Sequence, residues 1–316
     1  MTEPVDRGLP GSSSSEPGTE AQVGGSPTIL RVGAPMWSLP EWTGRYFPVE
    51  TTETLAAYAT WCNAVEGNTT FYAIPRPTTI ESWGRQAPDY FRFCFKLPRS
   101  ITHDRRLRHA DDELVAFLAA VALLEDRCGP LQIQLPPSFG PDDLNVLETF
   151  IVGLPRHGWG WAVEVRHHQF FPGGTAERPL NDLLARHGVN RVLLDSRPLF
   201  AGPCQTVAEQ EAFKSKPRVG VRPVATADQP LIRLIGQSNR DATEQHWQQW
   251  LPKVAEWLES GLRPFVFIHT PDNVDSPWLN RRFHAQVRER LGPGPGPPRL
   301  EPLPSPVEPD QQLDLF

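Results

Sequence analysis

Short apolar runs with a period of two alternate with longer segments whose apolar residues lie three or four positions apart. The short runs predict β-strands and the longer segments predict helices. Eight strands are predicted, at 28–32, 63–72, 91–97, 131–135, 161–165, 189–195, 231–235 and 265–269. Seven helices are predicted, at 52–62, 78–85, 111–126, 141–152, 180–186, 243–259 and 277–290. The segment between strands six and seven carries no helix prediction.

The order of these elements determines the predicted fold class. Strands that alternate with helices pair in parallel, and eight such units predict a closed (β/α)8 TIM-type barrel over residues 28–291. A doubly wound sheet is the alternative, although no glycine-rich nucleotide loop follows the first strand. Residues 1–27 and 292–311 are rich in Gly, Ser and Pro, which predicts a disordered tail and a proline-rich linker.

Composition limits the partners and the cellular compartment expected for the protein. The net charge of −6 gives no general attraction to nucleic acid, so any such binding needs a local basic patch. The four cysteines lie far apart in sequence, which predicts free, buried thiols in a reducing compartment. No apolar run approaches the roughly 20 residues that a membrane span needs. We therefore expect a cytoplasmic protein with no membrane partner.

Polar side chains recur at alternate positions of the predicted strands. In the stretch from Asn63 to Tyr72, Glu66 and Asn68 share one face while Val65 and Phe71 share the other. Because chemistry in such barrels sits at the carboxyl ends of the strands, we expect these polar residues to converge there. The predicted catalytic residues are Glu66, Glu164, His103 and Asp195. The predicted ligand-binding residues are Trp37, Asn68, Tyr72, Lys96, Arg99, Gln134, Arg166, Arg233 and His269.

Three kinds of chemistry fit these residue types. Carboxylates and histidine can hold a divalent metal, but neighbouring lysine and arginine oppose a dication, so no metal ligands are assigned and a divalent metal is left open. Cations beside carboxylates suit an anionic ligand, with a glutamate as base. The same charges can also form a purely structural ion-pair network.

The loop after strand three is the one local basic patch. It contains Arg99, Arg105, Arg106, Arg108 and His109, close to His103. Such a loop can reach nucleic-acid phosphates, or it can be a solvated loop that leads into the next helix. Aromatic residues such as Trp37 and Tyr72 could stack a base or a sugar, or pack as a lid.

Five motifs in order resemble the YecE-like family, catalogued as domain of unknown function 72. They are Trp37 to Trp42 with Phe47-Pro48, Val65-Glu66 through Tyr72, Phe95-Lys96 through His103, Leu131 through Pro137, and Glu164 through His167. The resemblance runs from about Gly33 to Asn273 and implies a (β/α) barrel without an assigned activity. The chain departs from the family pattern at Ala34 to Met36, at Ile235 in place of a histidine, and from His269 to Asn273.

The last five residues resemble the short peptide by which bacterial replication and repair proteins bind the sliding clamp, the β subunit of DNA polymerase. In residues 312–316, Leu315 and Phe316 would be hydrophobic anchors, Gln312 a hydrogen-bonding anchor, and Leu313 a further contact. A preceding linker would deliver this peptide to a groove on the clamp.

These observations support three functional hypotheses. The first is an enzyme, a hydrolase or lyase acting on a nucleic acid or a phosphorylated small molecule in DNA replication or repair. The second is a non-catalytic binding module associated with the clamp. The third is a small-sugar isomerase or epimerase. No organic cofactor is predicted.

Overall fold

The computed structural model describes residues 29–155, 157–292 and 300–306. Eight strands lie in this part of the chain, and every strand pair is parallel. Six strands form one sheet in the order β1-β8-β7-β6-β5-β4, and β2 pairs with β3 in a second sheet. The strands are β1 Arg31–Gly33, β2 Ala64–Gly67, β3 Arg92–Phe95, β4 Leu131–Gln134, β5 Trp161–Glu164, β6 Asn190–Asp195, β7 Leu231–Ile235 and β8 Phe265–His269.

The two sheets together make a curled parallel α/β sheet, a half-barrel. The ladder is interrupted between β1 and β2 and between β3 and β4, so the fully closed barrel predicted from the strand count is not seen as one continuous sheet. Backbone hydrogen bonds nevertheless cross both gaps. Glu66 N donates to Ala34 O at 3.0 Å, and Leu97 N donates to Gln132 O at 2.9 Å. The eight-strand α/β prediction is confirmed at this coarser level.

Nine helices of the described chain connect the strands. They are α1 Thr54–Ala59, α2 Pro77–Gln86, α3 Asp111–Val121, α4 Leu144–Gly153, α5 Glu177–Arg186, α6 Val207–Ser215, α7 Arg240–Trp247, α8 Trp250–Glu259 and α9 Ser276–Leu291. Sequence patterning missed α6. Thr206 caps its first turn and Glu209 bonds back to the Thr206 amide, so a Thr-x-x-Glu capping box was the available signal.

Two predicted elements differ from those in the structure. The strand predicted over 63–72 stops at Gly67, because Asn68 leads into a 3-10 turn over Thr69–Phe71. Thr70 is therefore buried with its hydroxyl on Lys96 O at 2.7 Å rather than on a strand face. The helix predicted over 243–259 is two helices, α7 and α8.

The predicted linker includes a packed stretch. Within 300–306, Leu300 is only 4% exposed and Leu303 packs beside it, both against the apolar cluster that contains Leu30, Trp257 and Phe283. The packed region thus continues past Leu291, where the predicted barrel domain ended. The predicted N-terminal tail at 1–27 and the peptide at 312–316 lie outside the described residues.

The interior of the half-barrel has two levels. At the amino ends of the strands an apolar floor fills the space between them, made of Ala64, Cys94, Ala162, Val192, Leu231, Phe265 and Phe267. Above that floor, toward the carboxyl ends, the inward-facing residues become charged. The charged residues therefore lie on an apolar layer that closes the site from below.

Two further expectations concern the cysteines and membrane spans. Cys62, Cys94, Cys128 and Cys204 are all free, as the sequence spacing predicts, but only Cys62 and Cys94 are buried, whereas Cys128 is half-buried and Cys204 is exposed. Within the described chain, no helix has the length and apolar character that crossing a bilayer requires.

Candidate functional site

Arg233 is the centre of a buried ion-pair network. Its Nη1 donates to Glu164 Oε2 at 2.5 Å, and its Nε lies 2.7 Å from Glu66 Oε1. Arg166 Nε donates to the other oxygen of Glu164 at 2.6 Å. The strands β2, β5 and β7 thus bring Glu66, Glu164 and Arg233 together at their carboxyl ends, as their alternation predicts.

Glu66 has two further neighbours from other strands. Lys96, which directly follows β3, places Nζ 3.9 Å from Glu66 Oε1, and His269 at the end of β8 places Nε2 3.0 Å from Glu66 Oε2. Both side chains are buried. The sequence-predicted residues Glu66, Lys96, Glu164, Arg166, Arg233 and His269 therefore form one group, which we call the charge cluster.

Burial and charge compete in setting the pKa of each carboxyl in this cluster. Burial raises the pKa of Glu66, but Arg233, Lys96 and His269 more than offset it, and the pKa lies well below its usual range. For Glu164, burial is likewise outweighed by Arg166, Arg233 and Lys96, and the pKa falls to about 2. Both carboxyls are ionised at neutral pH. Glu66 is consequently a weak base in the free protein, and its predicted catalytic role stays a prediction.

In the two titratable bases of the cluster, burial and the charge of Arg233 outweigh the neighbouring carboxylates and favour the neutral form. Burial and the charge of Arg233 lower the pKa of Lys96 to about 8, although Glu66 and Glu164 raise it. Burial and Arg233 also lower the pKa of His269 to about 4, so its imidazole is neutral at pH 7. Lys96 is therefore the member of the cluster best matched to proton transfer near neutral pH.

A cavity of about 320 Å³ opens above the charge cluster. It is lined by Pro35, Met36, Asn68, Phe71, Tyr72, Lys96, Gln134, Arg166, Lys216, Arg233, His269 and Asn273. These residues come from the carboxyl ends of the strands or from the segments that follow them. Its volume suits a small ligand.

Several buried polar atoms around this cavity have no aligned hydrogen-bond partner in the described chain. They include both carboxylate oxygens of Glu66, both amide atoms of Gln132 and the carbonyl oxygen of Gln134. Glu66 nevertheless makes close contacts with Arg233 and His269, so the unpaired atoms are those of the Gln132 and Gln134 amides. Buried polar atoms without partners are costly, which favours a polar ligand in the cavity.

Lys216 is a cavity residue that sequence patterning missed. It directly follows α6 and belongs to the stretch between β6 and β7 that the sequence left irregular. Burial and the charges of Arg233 and Arg166 lower its pKa. No carboxylate in the described residues lies within ion-pair distance of it. Only the unrecognised capping box of α6 could have suggested that the segment folds over the strand ends.

Two predicted site residues point away from the cavity. Asp195, the last residue of β6, binds Arg197 through both oxygens and accepts Trp250 Nε1 at 2.8 Å. The parity of β6 places Leu194 beside Arg233 and turns Asp195 toward the outer helices. Trp37 packs its ring edge-on against Trp83 at 5.1 Å, within the core beside α2. Neither side chain lines the cavity.

The cavity mouth carries aromatic side chains. Tyr72 is 81% exposed and meets Phe71 edge-on at 5.4 Å, and Phe71 meets His103 at 5.0 Å. Burial and the charge of Arg99 lower the pKa of His103. Asn68 lies below them, with its side-chain amide donating to Pro35 O at 2.9 Å. Tyr72 and Asn68 thus occupy predicted positions, while His103 stands behind Phe71 at the rim.

The basic loop is largely neutralised by acidic partners. Arg99 pairs with Asp104 across a single π-helical turn, Ser100–Asp104, and Arg105 pairs with Glu113. Arg106 and Arg108 both pair with Asp143. Four cations thus meet three carboxylates, so this loop offers little net charge to a nucleic acid.

The charge cluster also bears on metal binding. Within the ranges that the structure covers, no group of three or more His, Cys, Asp or Glu side chains is placed to hold a metal ion. Glu66 and Glu164 are already paired with Arg233.

Comparison with known proteins decides the family. Residues 31–302 match the family described as protein of unknown function DUF72. The chain belongs to the DUF72 family. YecE of Escherichia coli is 41% identical over 263 residues, which cover 83% of this chain and 94% of that protein. The resemblance stated from the strand motifs is therefore confirmed.

Solved DUF72 structures share the fold at low sequence identity. A family protein from Enterococcus faecalis superposes with a TM-score of 0.56 at 18% identity, covering 85% of this chain and 99% of the other. A family protein from Thermotoga maritima gives a TM-score of 0.56 at 18% identity, covering 83% and 98%. At this identity the likeness concerns the DUF72 fold alone.

His269 should make stability depend on pH above the range where the glutamates titrate. Because folding lowers the pKa of His269 from 6.5 to about 4, the imidazole is protonated in the unfolded state but neutral in the folded state between these two pH values. Stability is thus lost as the pH falls through this window, by about 2 kcal/mol between pH 7 and pH 5. We expect His269→Gln to remove this component in urea unfolding at the two pH values. If the unfolding free energy fell by the same amount between pH 7 and pH 5 in wild type and variant, a buried neutral His269 would be contradicted.

Proposed function

We propose that this DUF72 protein binds a small phosphorylated ligand in the cavity above the charge cluster. One observation carries the proposal, namely the excess of positive charge. Lys96, Arg166, Lys216 and Arg233 supply four cations against the two carboxylates Glu66 and Glu164, while His269 is neutral. Uncompensated charge in a secluded site is costly, and a dianion such as a phosphate monoester would balance it.

The position of the free donors supports the same ligand. Arg166 uses only Nε for Glu164, and Lys216 has no ion-pair partner in the described chain, so both retain donors for a phosphate. Lys96 adds an ammonium that is only loosely paired and faces the rest of the ligand. Charge-assisted contacts from Arg166 and Lys216 would fix the phosphate at the mouth side of Arg233.

A small molecule fits these features better than a nucleic acid. The cations lie inside a cavity of about 320 Å³, and the exposed basic loop is already paired with Asp104, Glu113 and Asp143. A nucleic acid would have to insert one flipped nucleotide, for which Tyr72 at the mouth is the available stacking surface.

We further propose that the protein is an enzyme of the lyase or hydrolase type. Lys96, with a pKa of about 8, can exchange a proton near neutral pH. Glu66 and Glu164 would hold the cations in place and act on protons only after a dianion has raised their pKa.

We also propose that the two sheets act as one (β/α)8 barrel, which is supported by the hydrogen bonds that cross both gaps.

A pair of matched probes tests the anion site. We expect glycerol 3-phosphate to raise the melting temperature of the wild-type protein, while glycerol at the same concentration does not. The rise should shrink with added salt, because screening weakens charge–charge contacts. Equal effects of the two probes would contradict a phosphate site.

The C-terminal peptide supports a second proposal, recruitment of this protein to DNA replication or repair. Its support is the resemblance of residues 312–316 to clamp-binding peptides, since these residues lie outside the described structure. Leu315 and Phe316 would fill a hydrophobic groove, and Gln312 would bind its edge.

A labelled peptide covering residues 307–316 should bind the purified bacterial sliding clamp in fluorescence polarisation. Replacing both Leu315 and Phe316 by alanine should abolish binding, because buried apolar anchors usually carry most of such an interface. Replacing Asp314 by alanine is the matched control and should weaken binding little. Equal binding by the wild-type and double-alanine peptides would remove the link to replication.

A further inference from the structure

We propose that the amine of Lys96 is a nucleophile that forms an imine with the carbonyl group of a phosphorylated aldehyde or ketone. This inference rests on the proposed phosphate site and names the substrate class for it. Lys96 is the only lysine of the described chain that lies within the charge cluster, above the apolar floor. Its ammonium donates no hydrogen bond in the described structure, and its one ion pair is long, at 3.9 Å.

The backbone holds this lysine firmly. Lys96 O accepts the hydroxyl of Thr70 at 2.7 Å, and the next residue donates to Gln132 O at 2.9 Å. Lys96 thus sits where the β2–β3 sheet meets β4, and its side chain projects into the cavity. A fixed backbone with an unengaged amine is the arrangement that a positioned nucleophile needs.

The carbonyl oxygen would lie near an unpartnered acceptor. Gln134 lines the cavity together with Lys96, and its carbonyl oxygen has no hydrogen-bond partner in the described residues. This oxygen can accept a hydrogen bond from the hydroxyl of a carbinolamine, while Arg166 and Lys216 hold the phosphate at the other end of the ligand.

The step balances without a further reagent. The neutral amine attacks the carbonyl carbon, a C–N bond forms, and the C=O pair moves onto oxygen. The nitrogen, now positive, loses one proton and the oxygen gains one, which gives a neutral carbinolamine. Its hydroxyl takes up a second proton, equal in number to the one that the Lys96 ammonium released on becoming neutral, and leaves as water while the nitrogen pair forms C=N. The iminium carries the same positive charge as the original ammonium, so Glu66 and Glu164 can compensate it as they compensate Lys96. The low pKa of Lys96 increases the fraction of neutral amine available for attack.

Reductive trapping tests this assignment. The full-length protein is incubated with dihydroxyacetone phosphate and sodium cyanoborohydride, digested, and examined by mass spectrometry. We expect the peptide containing Lys96 to gain the mass of the probe less one oxygen atom. Modification of Lys96 should exceed that of Lys214 and Lys253, which lie outside the cavity, by at least about tenfold. This measurement uses the wild-type protein, so its result does not depend on whether a variant folds.

Two controls separate this inference from the phosphate site. Lys96→Arg keeps the charge but lacks the nucleophilic amine, so it should still be stabilised by glycerol 3-phosphate and should give no adduct at residue 96. Lys214→Arg, a change at the surface of α6 outside the cavity, should retain the adduct at Lys96. Stabilisation of wild type by dihydroxyacetone phosphate without labelling of Lys96, or with labelling mainly at Lys216, would overturn the inference and leave the phosphate site intact. Failure of both phosphorylated probes to bind would overturn both proposals.

Discussion

Replacing Arg233 by methionine should lower the free energy of unfolding by about 3–5 kcal/mol. Arg233 is fully enclosed and contacts both Glu66 and Glu164, and these contacts raise its own pKa despite burial. Its loss would leave two carboxylates buried opposite fewer cations. Urea unfolding at pH 7, followed by circular dichroism, measures the change.

The matched control for Arg233 neutralises one of its partners at the same time. A double variant that combines Arg233→Met with Glu66→Gln should be more stable than Arg233→Met alone, because Glu66 is then no longer a buried carboxylate without its guanidinium, while Glu164 keeps Arg166. A single variant as stable as wild type would show that Arg233 and Glu66 are not mutually dependent. The same holds if the double variant is less stable than the single one.

Replacing Lys216 by methionine should weaken the binding of glycerol 3-phosphate by about 1.5–3 kcal/mol, roughly a ten- to hundredfold loss of affinity. Lys216 reaches the cavity without an ion-pair partner in the described chain, so a phosphate loses one charge-assisted contact while the fold loses none. We therefore expect its unfolding free energy to stay within about 0.5 kcal/mol of wild type. Isothermal titration calorimetry and urea unfolding on the same preparation give the two quantities.

Lys214→Met is the matched control for Lys216, since Lys214 lies two residues away on α6 and pairs with Glu211 at the surface. It should bind glycerol 3-phosphate as wild type does. If Lys216→Met instead destabilised the fold and left affinity unchanged, Lys216 would be a structural residue. The cavity would then lack one of the charges on which the proposed function depends.

Much of the charge cluster could be predicted from strand periodicity. Glu66 and Glu164 occupy inward positions of short strands, and a period of two assigns their faces without knowledge of the tertiary structure. Arg233 follows the same rule, because one apolar residue on either side separates it from Leu231 and Ile235. The agreement is good here because buried parallel strands are regular over four or five residues.

Asp195 and Trp37 show where periodicity fails. Strand β6 is apolar on both faces, so its sequence does not say which of Leu194 and Asp195 turns inward, and a shift of one residue exchanges them. Trp37 lies beyond β1, where no period applies, and it packs against Trp83 and Phe93. Lys216 was missed because its position depends on how a long connection folds back, which local sequence does not determine.

A structure from crystals soaked with glycerol 3-phosphate tests most directly whether the cavity above the charge cluster binds a phosphate. We predict phosphate density in the cavity within contact distance of Arg166 and Lys216, with the glycerol portion directed toward Lys96. The same soak of Lys216→Met should show weaker density at that position. Absence of phosphate from the cavity in a wild-type crystal, at a concentration that stabilises the protein in solution, would contradict the proposed site.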